Sequence, residues 1–353
     1  MSLSGSDWRL IALCGALTGA AAVTRYVPSG RVAPFVVAAI ALAALAALVG
    51  RSVDRLGDRL GSGATGALQS ALGNLPELFF GIFALRRGLV GVVQATLVGS
   101  ILANVLLVLG VALVAGGLRH GTQRFSAEAA RLVVLLLLLA VAVLVVPTIA
   151  AHVHGPAAHH EQALSDVAAV VLLVVFVLSI PSALRPGSPA AEAAVEPPGP
   201  RWPVSVVVVV LLVAAVAAAL VADWFATALQ PGLVALHMSQ AFAGLVVVAI
   251  AGNAVENVVG IQLAARNRMD YALAVTLQSP VQVALAVTPV LVLLSNVLGG
   301  SALTLVLSPL LVAALAIAAV VAVVVVFDGE STWIEGACLV GLYVVIAASF
   351  WWG

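Results

Sequence analysis

Long apolar runs separated by short polar breaks fill almost the whole chain. Runs near the ~20 residues needed to cross roughly 30 Å of hydrocarbon fall at about 8–23, 33–50, 64–85, 88–117, 127–149, 162–182, 204–229, 236–265, 269–297, 302–327 and 332–352. This pattern predicts an all-α integral membrane protein with about 11 transmembrane helices. The first run has small residues at Gly19-Ala20-Ala21-Ala22 and also fits a signal peptide. Asp7 ahead of a lone Arg9 makes a poor signal n-region, which favours a leader helix.

Composition agrees with the pattern. Of 353 residues, 63% are hydrophobic and 8% are charged, and the mean hydropathy is +1.21. A soluble domain carries about 25% charged residues, so a cytosolic or secreted domain is excluded. The 15 basic residues, all arginines, balance 15 acidic ones, leaving no polybasic footprint for nucleic acid. Cys14 and Cys338 lie far apart in apolar runs and read as small core hydrophobes.

Arginine placement orients the chain. With the N-terminus inside, 11 arginines face the cytoplasm (Arg9, Arg51, Arg55, Arg59, Arg119, Arg124, Arg131, Arg185, Arg201, Arg266, Arg268) and 4 face out (Arg25, Arg31, Arg86, Arg87). An odd helix count then puts the C-terminus outside. The stretch from Arg185 to Pro203 has no apolar period and reads as a cytoplasmic linker. The outward loop His152 to Gln162 holds four of six histidines and reads as solvated, with metal trapping or pH sensing as the alternative.

Two motifs repeat. Gly73-Asn74-Leu75-Pro76-Glu77 and Gly252-Asn253-Ala254-Val255-Glu256 share Gly-Asn-x-x-Glu at a spacing of 179 residues, and Ser100 and Ser279 each lie 23 residues past their Glu. The Glu runs are the third and the eighth, so they cross in opposite senses. That is an inverted-topology repeat, whose binding site commonly lies near the midplane. The expected organisation is a leader helix in 1–32, a first five-helix repeat in 33–183, the linker in 184–203 and a second repeat in 204–353.

Glu77 and Glu256 are the only acidic residues placed mid-span. A charge at the bilayer centre costs about 2.5–3.5 kcal/mol on insertion scales, and no Arg or His lies mid-span to offset it. Either a proton or a mobile cation must neutralise them; a site that takes both by turns is a proton-coupled carrier. Oxygen donors share their faces: Ser70 and Asn74 with Glu77, Asn253 with Glu256, then Thr96, Ser100 and Asn104, and Thr276, Ser279 and Gln282. Pro76 and Pro280 would free the carbonyls of Leu72 and Thr276. Hard oxygen donors suit Ca²⁺ and argue against Zn²⁺ or Cu⁺. For Ser70, Thr96 and Thr276, simple helix packing is an equally good reading, and for Gly73, Gly81, Gly252 and Gly260 close helix approach is the better one. Asp54, Asp58, Asp223 and Asp270 most simply solvate helix ends.

The segments GNLPELFFGIFALRRGLVGVVQATLVGSILANVLLVLG (73–110) and AGNAVENVVGIQLAARNRMDYALAVTLQSPVQVALAVTP (251–289) resemble the paired signature helices of the calcium/cation antiporter superfamily, specifically its calcium/proton exchanger branch. The resemblance implies that Glu77 and Glu256 are the primary ligands and proton acceptors. It makes Asn74, Asn253, Ser100, Ser279, Asn104 and Gln282 supporting ligands. It further implies Ca²⁺ as cargo with no tightly bound cofactor, H⁺ as the counter-substrate, no enzymatic activity, and a place in the bacterial plasma membrane; it specifies no oligomeric state. Two positions depart from the branch. Asn257 stands where His usually follows the Glu, and Gln278 where Gly usually precedes the Ser. These keep Na⁺-coupled exchange open as an alternative. A cation channel is the reading from another class, and no HExxH or Gly-x-Ser-x-Gly signature supports an enzyme.

Overall fold

The computed structural model describes residues 4–60, 72–153, 159–183 and 202–352. Ser70, His154, most of the linker, and the side chains of Asp54, Asp58 and Glu256 lie outside the described residues. The leader is α1 (Gly5–Tyr26). It is followed by α2 (Val32–Leu60), α3 (Leu75–Arg86), α4 (Val90–His120), α5 (Ala127–His152) and α6 (Glu161–Ala183). The second half holds α7 (Val204–Leu236), α8 (Gln240–Gly252), α9 (Ala254–Ala264), α10 (Met269–Ser295), α11 (Pro309–Val325) and α12 (Trp333–Ser349). Two-residue strands β1 (Gln123–Arg124) and β2 (Glu330–Ser331) pair antiparallel, Gln123 opposite Ser331.

The chain is an all-helical membrane protein. Among the described residues six helices are long and apolar enough to span a bilayer, or seven if the bent pair α8–α9 counts as one span. The expected figure of 11 is therefore not reached by length and composition; α11 and α12 are apolar but shorter, and the third run is only partly described.

Three differences from the sequence pattern have physical causes. The third and eighth runs are not continuous helices. A new helix starts after Asn74 and after Asn253, and the two halves of the eighth run meet at 66°. Pro76 thus sits in the first turn of α3, where its missing N–H costs nothing, rather than breaking a helix from within. The tenth run begins later than its hydropathy suggests: residues 303–307 form an extended, buried strap, and α11 starts at Pro309 behind the cap Ser308. Side chains from four helices satisfy the strap's backbone. Gln94 Nε2 donates to the carbonyls of Thr304 and Val306, and Thr148 Oγ1 donates to Leu305 O and accepts from Leu307 N. Ser165 and Ser295 accept from Leu305 N and Leu303 N. Irregular backbone inside a membrane protein survives only when paired in this way.

Packing puts α4 at the centre, buried nearly all round, whereas α6 and α7 turn most of their surface outward. Small residues permit the tightest crossings. A Cβ on Gly99 of α4 would collide with the Leu245 backbone of α8, and one on Gly244 of α8 would sit 2.6 Å from Val92 O of α4. Gly110 of α4 and Gly336 of α12 face each other in the same manner. Phe225 of α7 stacks on Phe35 of α2 at 5.4 Å and tilts against Phe80 of α3 at 5.4 Å. Cys14 is buried as expected, but Cys338 is exposed, because the polypeptide places it on the outer side of the peripheral α12.

Candidate functional site

Both motifs end one helical segment and begin another. Asn74 and Asn253 occupy the N-cap positions of α3 and α9, with φ of −94° and −96°, and neither side chain caps its own helix. Counting from these caps, Glu77 and Glu256 each fall at the third helical position. The backbone N–H groups of a first turn lack intrahelical partners and carry the positive end of the helix dipole. A carboxylate there regains part of the solvation it loses to burial. Glu77 is only 4% exposed.

The freed asparagine side chains reach into the opposite repeat. Asn74 Nδ2 donates to Gln282 Oε1 on α10 at 3.0 Å. Asn104 Nδ2 on α4 donates to Asn253 Oδ1 at 3.1 Å and to Ser100 O at 2.9 Å. Each motif asparagine is thus bonded to an amide on the other repeat's second helix. Asn253 Nδ2 also donates to Ser100 Oγ at 3.0 Å and to Ala249 O at 2.9 Å, while its Oδ1 accepts from Ser279 Oγ at 2.9 Å. Asn74, Asn104, Asn253, Ser100, Ser279 and Gln282 are all buried.

Glu77 meets this network at Gly252. A Cβ added there would lie 2.5 Å from Glu77 Oε1 and 2.7 Å from its Cδ, so the first repeat's carboxylate rests on the second repeat's motif glycine. Seven of the eight expected site residues, all but Glu256, have described side chains; six of them join one hydrogen-bonded cluster or pair, and Glu77 packs against it. Asn104 Oδ1 is buried without a hydrogen-bond partner, an acceptor aimed at whatever donor or cation enters. The donors are amides, hydroxyls and a carboxylate, the hard oxygen set that Ca²⁺ takes.

Two residues of the expected oxygen stripes behave differently. Thr96 Oγ1 returns to Val92 O on its own helix at 2.9 Å. Thr276 Oγ1 is buried without a partner, facing Gly260, where a Cβ would come within 2.5 Å of it. The local backbone also repeats: a π-helical turn follows Ser100 at Ala103–Val108, and another follows Ser279 at Val283–Val287. Such turns re-aim side chains and often mark functional segments. Here they bring Asn104, four residues past its Ser, and Gln282, three past its own, to equivalent partners.

Polar groups outside the site do more than solvate helix ends. Asp223 pairs with Arg87 at 2.7 Å, and Asp270 Oδ1 accepts from Ser126 N at 2.6 Å. Asp7 is fully buried. Its Oδ2 accepts from Ser4 and, at 3.0 Å, from Trp202 Nε1, and its Oδ1 lies 2.9 Å from Arg51 Nε. Ser4-x-x-Asp7 was legible as a capping box; its tie to Trp202, 195 residues away, was not. Burial raises the Asp7 pKa, but the hydrogen bonds from Ser4 and Trp202 and the Arg51 charge outweigh it and hold the carboxyl below its ordinary value.

A membrane-embedded helical protein with duplicated, interlocked Gly-Asn-x-x-Glu helices is a member of the cation-exchanger class. A family model described as sodium/calcium exchanger protein matches residues 31–184 and 206–352, and the chain belongs to that family. It is 31% identical to a Ca(2+)/H(+) antiporter of Aphanothece halophytica over 90% of this chain and 89% of that one. It is 32% identical to the Ca(2+)/H(+) antiporter ChaA of Bacillus subtilis (strain 168), over 90% and 91%. Among solved structures, native YfkE superposes with a TM-score of 0.81 at 29% identity, covering 98% of this chain and 99% of that one. The H⁺/Ca²⁺ exchanger CAX superposes with a TM-score of 0.74 at 14% identity, covering 98% and 92%, which shows a shared fold.

Proposed function

We infer that the chain is a secondary transporter that exchanges Ca²⁺ for H⁺ across a membrane, exporting calcium from the cytoplasm. Similarity to Ca²⁺/H⁺ antiporters over nine-tenths of its length supports this reading. The observation that carries it is the buried Glu77 carboxylate lodged against Gly252 of the opposite motif, beside amides bonded across the repeats. In this reading residues 33–183 and 204–353 are the two inverted repeats, joined by the 184–203 linker, with the leader in 1–32. The N-terminus is cytoplasmic and the membrane is a bacterial plasma membrane, in keeping with the arginine count.

Glu77 and Glu256 share one site, with Asn74, Asn104, Asn253, Ser100, Ser279 and Gln282 as supporting ligands. A bound Ca²⁺ cancels the repulsion of two ionised carboxylates. In its absence like charge and desolvation favour protonation of at least one, so protons entering down their gradient displace the ion. The Gly-Asn breaks let the half-helices re-aim between inward- and outward-open states.

The test is ⁴⁵Ca²⁺ uptake into proteoliposomes under an imposed pH gradient. Uptake that follows the gradient and vanishes in Glu77→Gln supports the reading; calcium movement indifferent to the gradient refutes proton coupling. Asn257, where the branch usually has His, favours testing Na⁺ as well. Dependence on Na⁺, removed by choline replacement, would select Na⁺-coupled exchange.

A further inference from the structure

We propose that the groove between the C-terminal end of α1 and the N-terminal end of α2 binds the headgroup of an anionic glycerophospholipid through Arg25 and Arg31. The groove encloses about 480 Å³, and its walls include Arg25, Tyr26, Arg31, Thr227 and Pro231. It lies at the end of the molecule that carries only four arginines by sequence, and three of them converge on it. Arg87 reaches the wall residue Thr227 at 2.8 Å and is neutralised by Asp223 at 2.7 Å. Arg25 and Arg31 have no carboxylate partner among the described residues, so the groove keeps two positive charges.

Its surroundings favour a lipid over a soluble anion. The Arg25 guanidinium lies 5.7 Å over the Tyr26 ring, and Tyr26 meets Trp224 edge-on at 6.1 Å. Tyr and Trp gather at headgroup depth in membrane proteins. Val23 and Val27 are 58% and 54% exposed on the flank of α1, offering an apolar wall to acyl chains below the headgroup. Gly30, at φ +82°, makes the turn that sets Arg31 beside the start of α2, and the positive end of that 29-residue helix adds to the field. Arg51 and Trp202 tie α1 down at its other end through Asp7. A lipid bridging Arg25 and Arg31 would fasten α1 to α2 at this end.

The experiment is lipid retention by native mass spectrometry, comparing phosphatidylglycerol with phosphatidylcholine of identical chains, with inorganic phosphate as a third arm. The full-length protein should retain phosphatidylglycerol preferentially, by roughly tenfold. Arg25→Gln and Arg31→Gln should each lower that retention by roughly fivefold, with thermal unfolding in phosphatidylcholine unchanged. Equal retention by the parent protein and the double variant would overturn the proposal. So would protection by inorganic phosphate equal to that by phosphatidylglycerol, which would mark a soluble-anion pocket.

Discussion

Asn104 of the first repeat holds Asn253 of the second by a 3.1 Å amide–amide hydrogen bond, and Asn74 holds Gln282 by one of 3.0 Å in the converse direction. The two repeats are locked at their motif asparagines by the same chemistry used twice. Asn253 Oδ1, with donors from Asn104 and Ser279, has both lone pairs engaged. Its oxygen can turn to a cation only by breaking those bonds, which couples cation capture to separation of the repeats.

Asn253→Ala removes every one of these contacts and leaves Ser100 Oγ without its amide donor in a buried place. Orphaning buried polar groups costs about 1–3 kcal/mol each. The variant should unfold at a lower temperature in detergent by the equivalent of about 2–4 kcal/mol, whereas Asn74→Ala, which removes one such bond, should lose less.

Glu77→Gln keeps the shape and drops the charge. Thermal stability should be equal to or above that of the parent, since an uncharged amide is cheaper to bury in the membrane than a carboxylate. Gradient-driven ⁴⁵Ca²⁺ flux should fall by about 100-fold or more, a loss of roughly 2.7 kcal/mol. Retained flux would remove Glu77 from the site.

Gly252→Ala puts a methyl group 2.5 Å from Glu77 Oε1, so the carboxylate must move. Flux should fall by about tenfold, with an altered apparent calcium affinity, a shift of roughly 1.4 kcal/mol. Gly260→Ala meets the Thr276 hydroxyl instead, whose rotation relieves the contact, and its effect on flux should be smaller.

Asp7 has a depressed pKa in the folded protein, so its contribution to stability is present above the ordinary carboxyl value of 3.8 and is lost as pH falls through the lower folded value. Asp7→Asn should therefore destabilise the protein at neutral pH, by about 1–2 kcal/mol given the half-solvated Arg51. The gap between variant and parent should close on acidification below that value. Thermal unfolding from pH 7 down to pH 3 checks the sign.

Thr148→Val preserves volume but removes the hydroxyl that bonds Leu305 O and Leu307 N. The strap then carries two unmet backbone groups, and stability should fall by about 2–4 kcal/mol in thermal unfolding.

The linear sequence determined the membrane class, because 63% apolar residues in ~20-residue runs admit no aqueous alternative. It also determined which acids and amides belong together, because a duplication 179 residues apart repeats its polar positions whatever the fold. Hydropathy could not reveal the breaks at Asn74 and Asn253 or the extended strap at 303–307, since an apolar run looks the same whether its backbone bonds internally or to distant side chains. Only the tertiary structure decided the pairing of Asn74 with Gln282, the seat of Glu77 against Gly252 and the burial of Asp7 by Trp202. Those contacts join residues far apart in the chain, and their geometry depends on how tightly glycine-lined helices cross, which no local pattern encodes.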